Sequence, residues 1–386
     1  MTSSSLYPRQ FELPTSSFFL LGVRGVGKST WIRGVLPEAL RLDLLDDSLY
    51  QDLLVEPALF GAMLEGRSRG SWVTVDEIQR LPNLLNEVHR RIERDGLRFA
   101  LLGSSARKLK AGGTNLLAGR ALWKTLFPLM PHELGDDFDL ARVLQVGSVP
   151  VVWTADDPVS TLESYVQLYL REEIRAEALV RNLPGFARFL PIAALFHGQT
   201  INVSSIARDS GAARSTVNGY LDILEDTLLV HRLPAYEAKL RVRERRLPKL
   251  YWVDPGIVRA AKRQLGPVAL EEAGALFEGY VLTMLRAYRE LSRIYEELAF
   301  WSPHQSTVEV DFLLRRGDEL VAIEAKAARR FSRSHLRGLL AVKALPNVIR
   351  RILVYGGKRK LTTDEGIEVW PIEELSAALA GGRLWP

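Results

Sequence analysis

The 386-residue chain contains no cysteine. That excludes disulfides and thiolate zinc sites and accords with a reducing compartment, here expected to be the cytoplasm. It also lacks any apolar run approaching the roughly twenty residues that cross a bilayer. Its first ten residues, MTSSSLYPRQ, have no basic stretch followed by an apolar one, so neither export nor a membrane is expected. Charge is plentiful: 51 Lys and Arg against 46 Asp and Glu leave +5, and 40 of the basic residues are Arg. This balance permits a nucleic-acid partner without requiring one, because a GC-rich genome also enriches Arg. With 47% hydrophobic and 25% charged residues the composition is that of a globular protein, and the length points to two or three domains.

The most informative stretch is residues 18–30, FFLLGVRGVGKST. An apolar run is followed by Gly22, Arg24, Gly25, Val26, Gly27, Lys28, Ser29 and Thr30, and then by a helical pattern. This is a P-loop signature between strand and helix. Its glycines let backbone N–H groups approach phosphate oxygens, Lys28 supplies charge at the β and γ phosphates, and the Ser29 hydroxyl can ligate Mg²⁺. A glycine-rich turn without a ligand would need only part of that pattern. ATP with Mg²⁺ is the expected occupant.

About fifty residues later, Trp72-Val-Thr-Val-Asp76-Glu77 reads as a strand ending in two acids. Ligands of a parallel sheet gather at the carboxyl ends of its strands. Asp76 is therefore expected beside the P-loop, joining Ser29 at Mg²⁺, with Glu77 polarising the attacking water. The bland alternative is an acidic pair capping the next helix. A helix is expected over 83–94, then a buried strand over 98–103 ending in Ser104 and Ser105, then Leu116-Leu-Ala-Gly-Arg120 before another apolar run.

Taken in order, GVRGVGKST, VTVDEIQ, FALLGSSARKL, LLAGRAL and FPLMPHEL resemble the bacterial and archaeal AAA-type ATPases whose C-terminal half is a separate nuclease-like domain. The resemblance runs over nearly the whole chain. It implies that Ser104 and Ser105 occupy the sensor position between γ-phosphate and water. It also implies that Arg120 is an arginine finger reaching a neighbouring subunit's nucleotide, which requires a homo-oligomeric ring, expected to be a hexamer. Ordinary turn chemistry for the serines, and a solvated helix-end position for Arg120, are the plainer alternatives.

The segment 158–188 is mostly helical in pattern, as a lid would be, with Asp157 as its start and Pro184-Gly185 as a break. Arg171 and Arg175 lie four apart and could reach nucleotide, or simply face solvent. Residues 200–208 and 215–224 read as the two helices of a helix-turn-helix joined at Ser210-Gly211, with Ser215 as N-cap and Val217, Leu221 and Leu224 as the buried stripe. Strands at 228–233 and 249–254 would form a wing whose tip is the basic run Lys239 to Arg246. On DNA such a unit would present Arg214, Thr216 and Asn218 from its second helix and Arg241, Arg243, Arg245 and Arg246 from the tip. Winged helices also serve as spacers.

In the last third, Glu278 on a helix, Asp311 in Val308-Glu-Val-Asp-Phe, and Glu324 with Lys326 in Val321-Ala-Ile-Glu-Ala-Lys form a constellation. Strand alternation puts Glu324 and Lys326 on one face, with Asp311 on the neighbouring strand and Glu309 able to assist. Carboxylates so placed can hold Mg²⁺ or Mn²⁺ for attack on a phosphodiester while the lysine handles water. With a helix over 334–345 and a strand over 351–355, the order resembles the PD-(D/E)XK nuclease superfamily, whose members often keep the fold without cutting. His304 and Gln305, nearby, read as structural.

The expected architecture is α/β: a P-loop AAA-type ATPase core over 1–135, a helical lid over 136–190, a winged helix-turn-helix over 191–255 and a PD-(D/E)XK-like α/β domain over 256–386. The expected function is an ATPase that remodels or translocates on duplex or branched DNA in repair or recombination. Two alternatives stand beside it: an ATP-gated metal-dependent DNA nuclease, and a protein-binding signalling or conflict-system ATPase with an inactive nuclease-like scaffold.

Overall fold

The computed structural model describes residues 7–105, 109, 117–169, 183–236, 247–303 and 306–385. Arg171, Arg175, His304, Gln305 and the basic run with Arg241, Arg243, Arg245 and Arg246 lie outside the described residues. The chain divides into two compact units. One holds residues 9–127 and 226–228; the other holds 128–225 and 229–386 together with the first eight residues. No described helix is long and apolar enough to cross a membrane.

In the first unit, β1 (Phe18–Leu21), β2 (Leu40–Asp43), β3 (Trp72–Asp76), β4 (Arg98–Gly103) and β5 (Leu122–Thr125) form one sheet in the order β2-β3-β4-β1-β5. Every neighbouring pair is parallel. Parallel strands are covered on both faces, so they read as continuous apolar runs rather than alternating ones. The Phe-Phe-Leu-Leu of β1 and the Phe-Ala-Leu-Leu of β4 are buried at every residue. Phe19, Val73, Val75, Phe99 and Leu101 share a core with Leu85 and Val88, each such side chain contributing about 1.5–3 kcal/mol by leaving water. Helix α1 (Lys28–Val35) follows β1 directly. The helix expected over 83–94 is a 3₁₀ turn, Pro82–Leu84, running into α2 (Leu85–Asp95). The register sets the strand ends side by side: Asp43 lies opposite Asp76, and Leu21 lies between Gly103 and Thr125.

The second unit begins with short helices, including α3 (Pro158–Ser164), which Asp157 caps by accepting from Ser160 N at 3.1 Å. Helix α4 (Leu183–Leu195) includes Pro184 and Gly185. Helices α5 (Val203–Ser210) and α6 (Arg214–Asp226) follow, joined at Gly211. Asn202 caps α5. Val217 N bonds to Ala213 O, so α6 begins before Ser215, which lies in its first turn and is not the N-cap. Val217, Leu221 and Leu224 are buried, and Tyr220 packs on Phe186 and Phe189 of α4, ring centroids 5.0 and 5.1 Å away. Strands β6 (Gln199–Thr200), β7 (Val230–Leu233) and β8 (Lys249–Trp252) form an antiparallel sheet ordered β6-β8-β7.

After α7 (Pro255–Lys262) and the long α8 (Leu270–Ser292) comes a six-stranded sheet. Its strands are β9 (Glu297–Trp301), β10 (Val310–Arg316), β11 (Glu319–Lys326), β12 (Val348–Tyr355), β13 (Leu361–Thr362) and β14 (Glu368–Pro371), in the order β13-β14-β12-β11-β10-β9. The β9, β10 and β11 pairings are antiparallel, and β12 joins β11 and β14 in parallel. The helix expected over 334–345 is broken into two 3₁₀ turns around the short α9 (Arg337–Ala341). Helix α8 packs on β11 and on α10 (Ile372–Ala380). The expected borders at 190/191 and 255/256 both fall inside this unit.

Candidate functional site

The P-loop leaves the buried end of β1 at Gly22 and enters α1 at Lys28. Gly25 and Gly27 have φ of 72° and 95°, left-handed values that side chains rarely adopt, which is why the turn needs glycine there. Val26 is fully buried, while Arg24 and Thr30 are exposed. Lys28 is 6% exposed, and its ammonium donates to Gly22 O at 2.7 Å and to Val23 O at 3.3 Å, folding back on the loop it follows.

Ser29 Oγ donates to Asp76 Oδ2 at 2.5 Å. A hydroxyl and a carboxylate thus converge across α1 and β3, next to a cleft of about 80 Å³ that Asp43 and Thr74 also line. Hard oxygen donors in this arrangement suit Mg²⁺. Beside them Glu77 has φ 54° and ψ 41°, a left-handed conformation that costs a non-glycine residue about 1–3 kcal/mol and collects at functional sites. Its N–H donates to Asp76 Oδ1 at 3.0 Å.

Gln79, to which the sequence reading gave no role, organises this corner. It is 5% exposed, and its Nε2 donates both to Glu77 Oε2 and to Ser104 Oγ, the latter at 3.0 Å. Ser104 therefore meets Glu77 through Gln79 rather than directly, and Ser105 is buried next to it. A Cβ at Gly103 would stand 2.5 Å from Gln79 Oε1, so the end of β4 has to be glycine for this side chain to fit. The available signal was the placement of Gln79 two residues beyond Glu77, within VDEIQ. Arg120 lies in a turn just before β5, 38% exposed, with Nε on Glu93 Oε1 at 2.5 Å.

The second constellation lies in the C-terminal sheet. Lys326 Nζ is 2.5 Å from Glu324 Oε1 and 3.8 Å from Asp311 Oδ2, and Asp311 also accepts from Ala325 N at 2.9 Å. The β9–β10 register shifts between Val310 and Leu313, so Asp311 sits at an irregularity of the kind that re-aims a side chain. Glu278 of α8 joins through two residues of β8 that the sequence reading missed. Tyr251 OH donates to Glu278 Oε1, and Lys249 Nζ lies 3.2 Å from that same oxygen, 2.8 Å from Glu309 Oε1 and 3.9 Å from Asp311 Oδ1. The signal for Lys249 was a cation heading the otherwise apolar strand Lys-Leu-Tyr-Trp.

Burial raises the pKa of Glu278 and of Glu324, and the Asp311 carboxylate adds to both shifts. Burial opposes the charge on Lys249, but Glu278, Asp311 and Glu309 together outweigh it and hold the ammonium protonated. Lys326 is likewise held by Asp311 and Glu324 against burial. The expectation of a metal ion on Glu278, Asp311 and Glu324 therefore meets a different arrangement, because Lys249 bridges Glu278 and Asp311 and Lys326 bridges Asp311 and Glu324. Among the described residues, no group of three or more acidic or imidazole side chains is placed to hold a metal. The donor set does not fit the ion that the nuclease resemblance implied.

On α6, Arg214 and Asn218 are exposed and Thr216 is half-buried, all three off the buried stripe.

Three family models match successive stretches of the chain. Residues 137–267 match a family model described as a domain of unknown function (DUF8612). An uncharacterized protein of Mycobacterium tuberculosis is 26% identical over 365 residues, covering 92% of this chain and 80% of the relative. An uncharacterized protein of Haemophilus influenzae is 24% identical over 289 residues, 70% of this chain and 68% of the relative. Among solved structures, the Aeropyrum pernix ORC1 protein in complex with DNA is similar over 66% of this chain and 87% of that one, at 15% identity and a TM-score of 0.26. Residues 15–135 match the family model described as an AAA domain and residues 273–375 the one described as the domain of unknown function DUF4143, so the chain carries an AAA domain on its parallel sheet and a DUF4143 region at its C-terminus.

Proposed function

We propose that the chain is a Mg²⁺-dependent ATPase of AAA type that works as a homo-oligomeric ring, a hexamer, and moves or remodels duplex or branched DNA. The observation that carries the ATPase reading is the Ser29–Asp76 hydrogen bond of 2.5 Å beside Lys28, with Glu77 following at the end of β3. The backbone N–H groups of residues 22–29 would cradle the phosphates of ATP, with the Lys28 ammonium turning from Gly22 O onto them. Ser29 and Asp76 would hold Mg²⁺, which when bound offsets phosphate charge. Glu77, fixed by Gln79, would orient the attacking water and accept its proton. Arg120, once parted from Glu93, would reach the nucleotide of the next subunit.

The DNA reading rests on α5, α6 and the β6-β8-β7 sheet taken as a winged helix, with Arg214, Thr216 and Asn218 on its second helix and the basic run 239–246 at the wing tip for the phosphate backbone. The core would then span 1–135, the lid 136–190, the winged helix 191–255 and the PD-(D/E)XK-like domain 256–386. An ATP-gated nuclease would need a metal among Glu278, Asp311 and Glu324, and the ammonium groups of Lys249 and Lys326 compete with it for those carboxylates.

The test is ATP turnover at low salt with single-stranded, duplex, forked and four-way DNA. Stimulation by duplex or branched forms is expected, with no nucleotide binding in Lys28→Ala and binding without turnover in Glu77→Gln. Turnover indifferent to every DNA at low salt, where backbone binding is strongest, would overturn the DNA reading and favour a protein partner.

A further inference from the structure

We infer that Lys249 is the resident cation of the C-terminal acid cluster: its ammonium occupies the position a divalent metal would need, and the cluster serves as a joint between β8, α8 and β10 instead of a phosphodiesterase centre. Three observations converge on this.

The first is placement. Lys249 is 3% exposed, and its nitrogen lies 2.8, 3.2 and 3.9 Å from carboxylate oxygens of Glu309, Glu278 and Asp311. Those acids come from α8, from β10 and from the residue just before β10, so a single ammonium ties all of them to β8. A metal bound to these oxygens would stand about 2 Å from each, in the space the ammonium fills.

The second is saturation. Tyr251, two residues along β8 and on the same face, donates to Glu278 Oε1, the oxygen that Lys249 also engages. Asp311 Oδ2 accepts from Ala325 N, and its other oxygen faces Lys249. Glu324 Oε1 is taken by Lys326. The oxygens that face Lys249 are thus engaged by protein donors, whereas Glu324 Oε2, on the Lys326 side of the cluster, is buried without a hydrogen-bond partner. A buried acid cluster without a metal needs such compensation, because uncompensated charge in the interior is strongly unfavourable.

The third is origin. The cation arrives on a strand of the small three-stranded sheet, not on the sheet that carries Asp311 and Glu324. Its removal would leave Glu278, Glu309 and Asp311 facing one another across element boundaries.

The experiment uses the full chain without nucleotide, titrated with Mn²⁺ and followed by thermal unfolding and by the Mn²⁺ electron paramagnetic resonance signal. The chain and its Asp311→Asn and Glu324→Gln variants are expected to give the same Mn²⁺ titration, and none should cut DNA in Mn²⁺. Lys249→Arg should keep the parental Tm. Lys249→Ala should lose several degrees, or fail to fold, and Mn²⁺ should restore it by filling the vacated position. Mn²⁺ binding or DNA cleavage by the parental chain that disappears in Asp311→Asn or Glu324→Gln would overturn the inference. So would a Lys249→Ala chain that melts like the parent.

Discussion

Gln79 and Ser104 are hydrogen-bonded at 3.0 Å, and through the other contact of the same amide nitrogen Ser104 is linked to the carboxylate of Glu77. A residue at the end of one strand thus sets the direction of an acid at the end of the next. If Glu77 orients water, Gln79 is a positioning residue whose loss affects turnover more than binding. Gln79→Ala should lower kcat roughly tenfold, the worth of one hydrogen bond of about 1.4 kcal/mol, with the Kd for ATP unchanged. Steady-state turnover read beside nucleotide binding separates the two, and equal losses in both would contradict this role.

Gly103→Ala should act on the same corner from behind. Its Cβ would press on Gln79 Oε1 from 2.5 Å, in a buried place where overpacking costs about 1–3 kcal/mol. Urea unfolding should show the loss of stability, and turnover should fall along with it.

Arg120 and Glu93 form a surface pair at 2.5 Å, worth at most about 1 kcal/mol in water. Releasing the arginine is therefore easy. Arg120→Ala should still bind ATP but hydrolyse it roughly 10³-fold more slowly, whereas Glu93→Ala should keep its turnover. An Arg120→Ala chain with full hydrolysis would remove the finger from the mechanism.

His197 gives the protein an acid limit. Its Nδ1 accepts from Trp252 N at 3.0 Å, which requires the neutral ring, and burial, helped by Lys262, lowers its pKa from 6.5 to about 3. Burial, with Arg286, Arg289 and Arg232, takes His231 down to about 2. As pH falls, the unfolded chain takes up these protons first. The stability these two neutral rings contribute is therefore complete above pH 6.5 and is lost on acidification towards the folded pKa values. Each histidine should remove about 2 kcal/mol by about pH 5. Burial raises the pKa of Glu278 and Glu324, which shifts stability the opposite way over the same range, so the check is the pH profile of unfolding in His231→Gln against that of the parental chain, and equal slopes between pH 7 and about 5 would contradict it.

Arg214→Ala on α6 should weaken duplex binding and reduce the slope of log K against log salt by about one, as expected for a phosphate contact. Fluorescence anisotropy at several salt concentrations measures that slope. An unchanged slope would take Arg214 off the DNA.

What the sequence made legible was whatever is written contiguously. The P-loop, the strand ending in Asp76 and Glu77, and the Glu324–Lys326 pair each lie within a few residues, and their geometry follows from one turn or one strand. What escaped was decided by partners distant in the chain. Gln79 sits in a quoted motif, yet its role depends on Ser104, twenty-five residues away, and on the missing side chain of Gly103. Lys249 reaches its acids across separations of 29 and 60 residues, and no local pattern announces that. The N-cap was placed at Ser215, two residues late, because a cap depends on where the backbone turns helical, which Ala213 settles by accepting the first bond.

Strand β8 belongs to two neighbourhoods: it pairs with β6 and β7, and it sends Lys249 and Tyr251 into the acids of α8 and β10. Severing the chain between 255 and 256 would leave the C-terminal fragment with Glu278, Asp311 and Glu324 and only Lys326 to balance them. Such a fragment should collapse at neutral pH and hold its shape only in acid, where its carboxyls take up protons. Exchanging either of the last two segments for a foreign counterpart should therefore unsettle the other unless the exchange also supplies a cation at position 249.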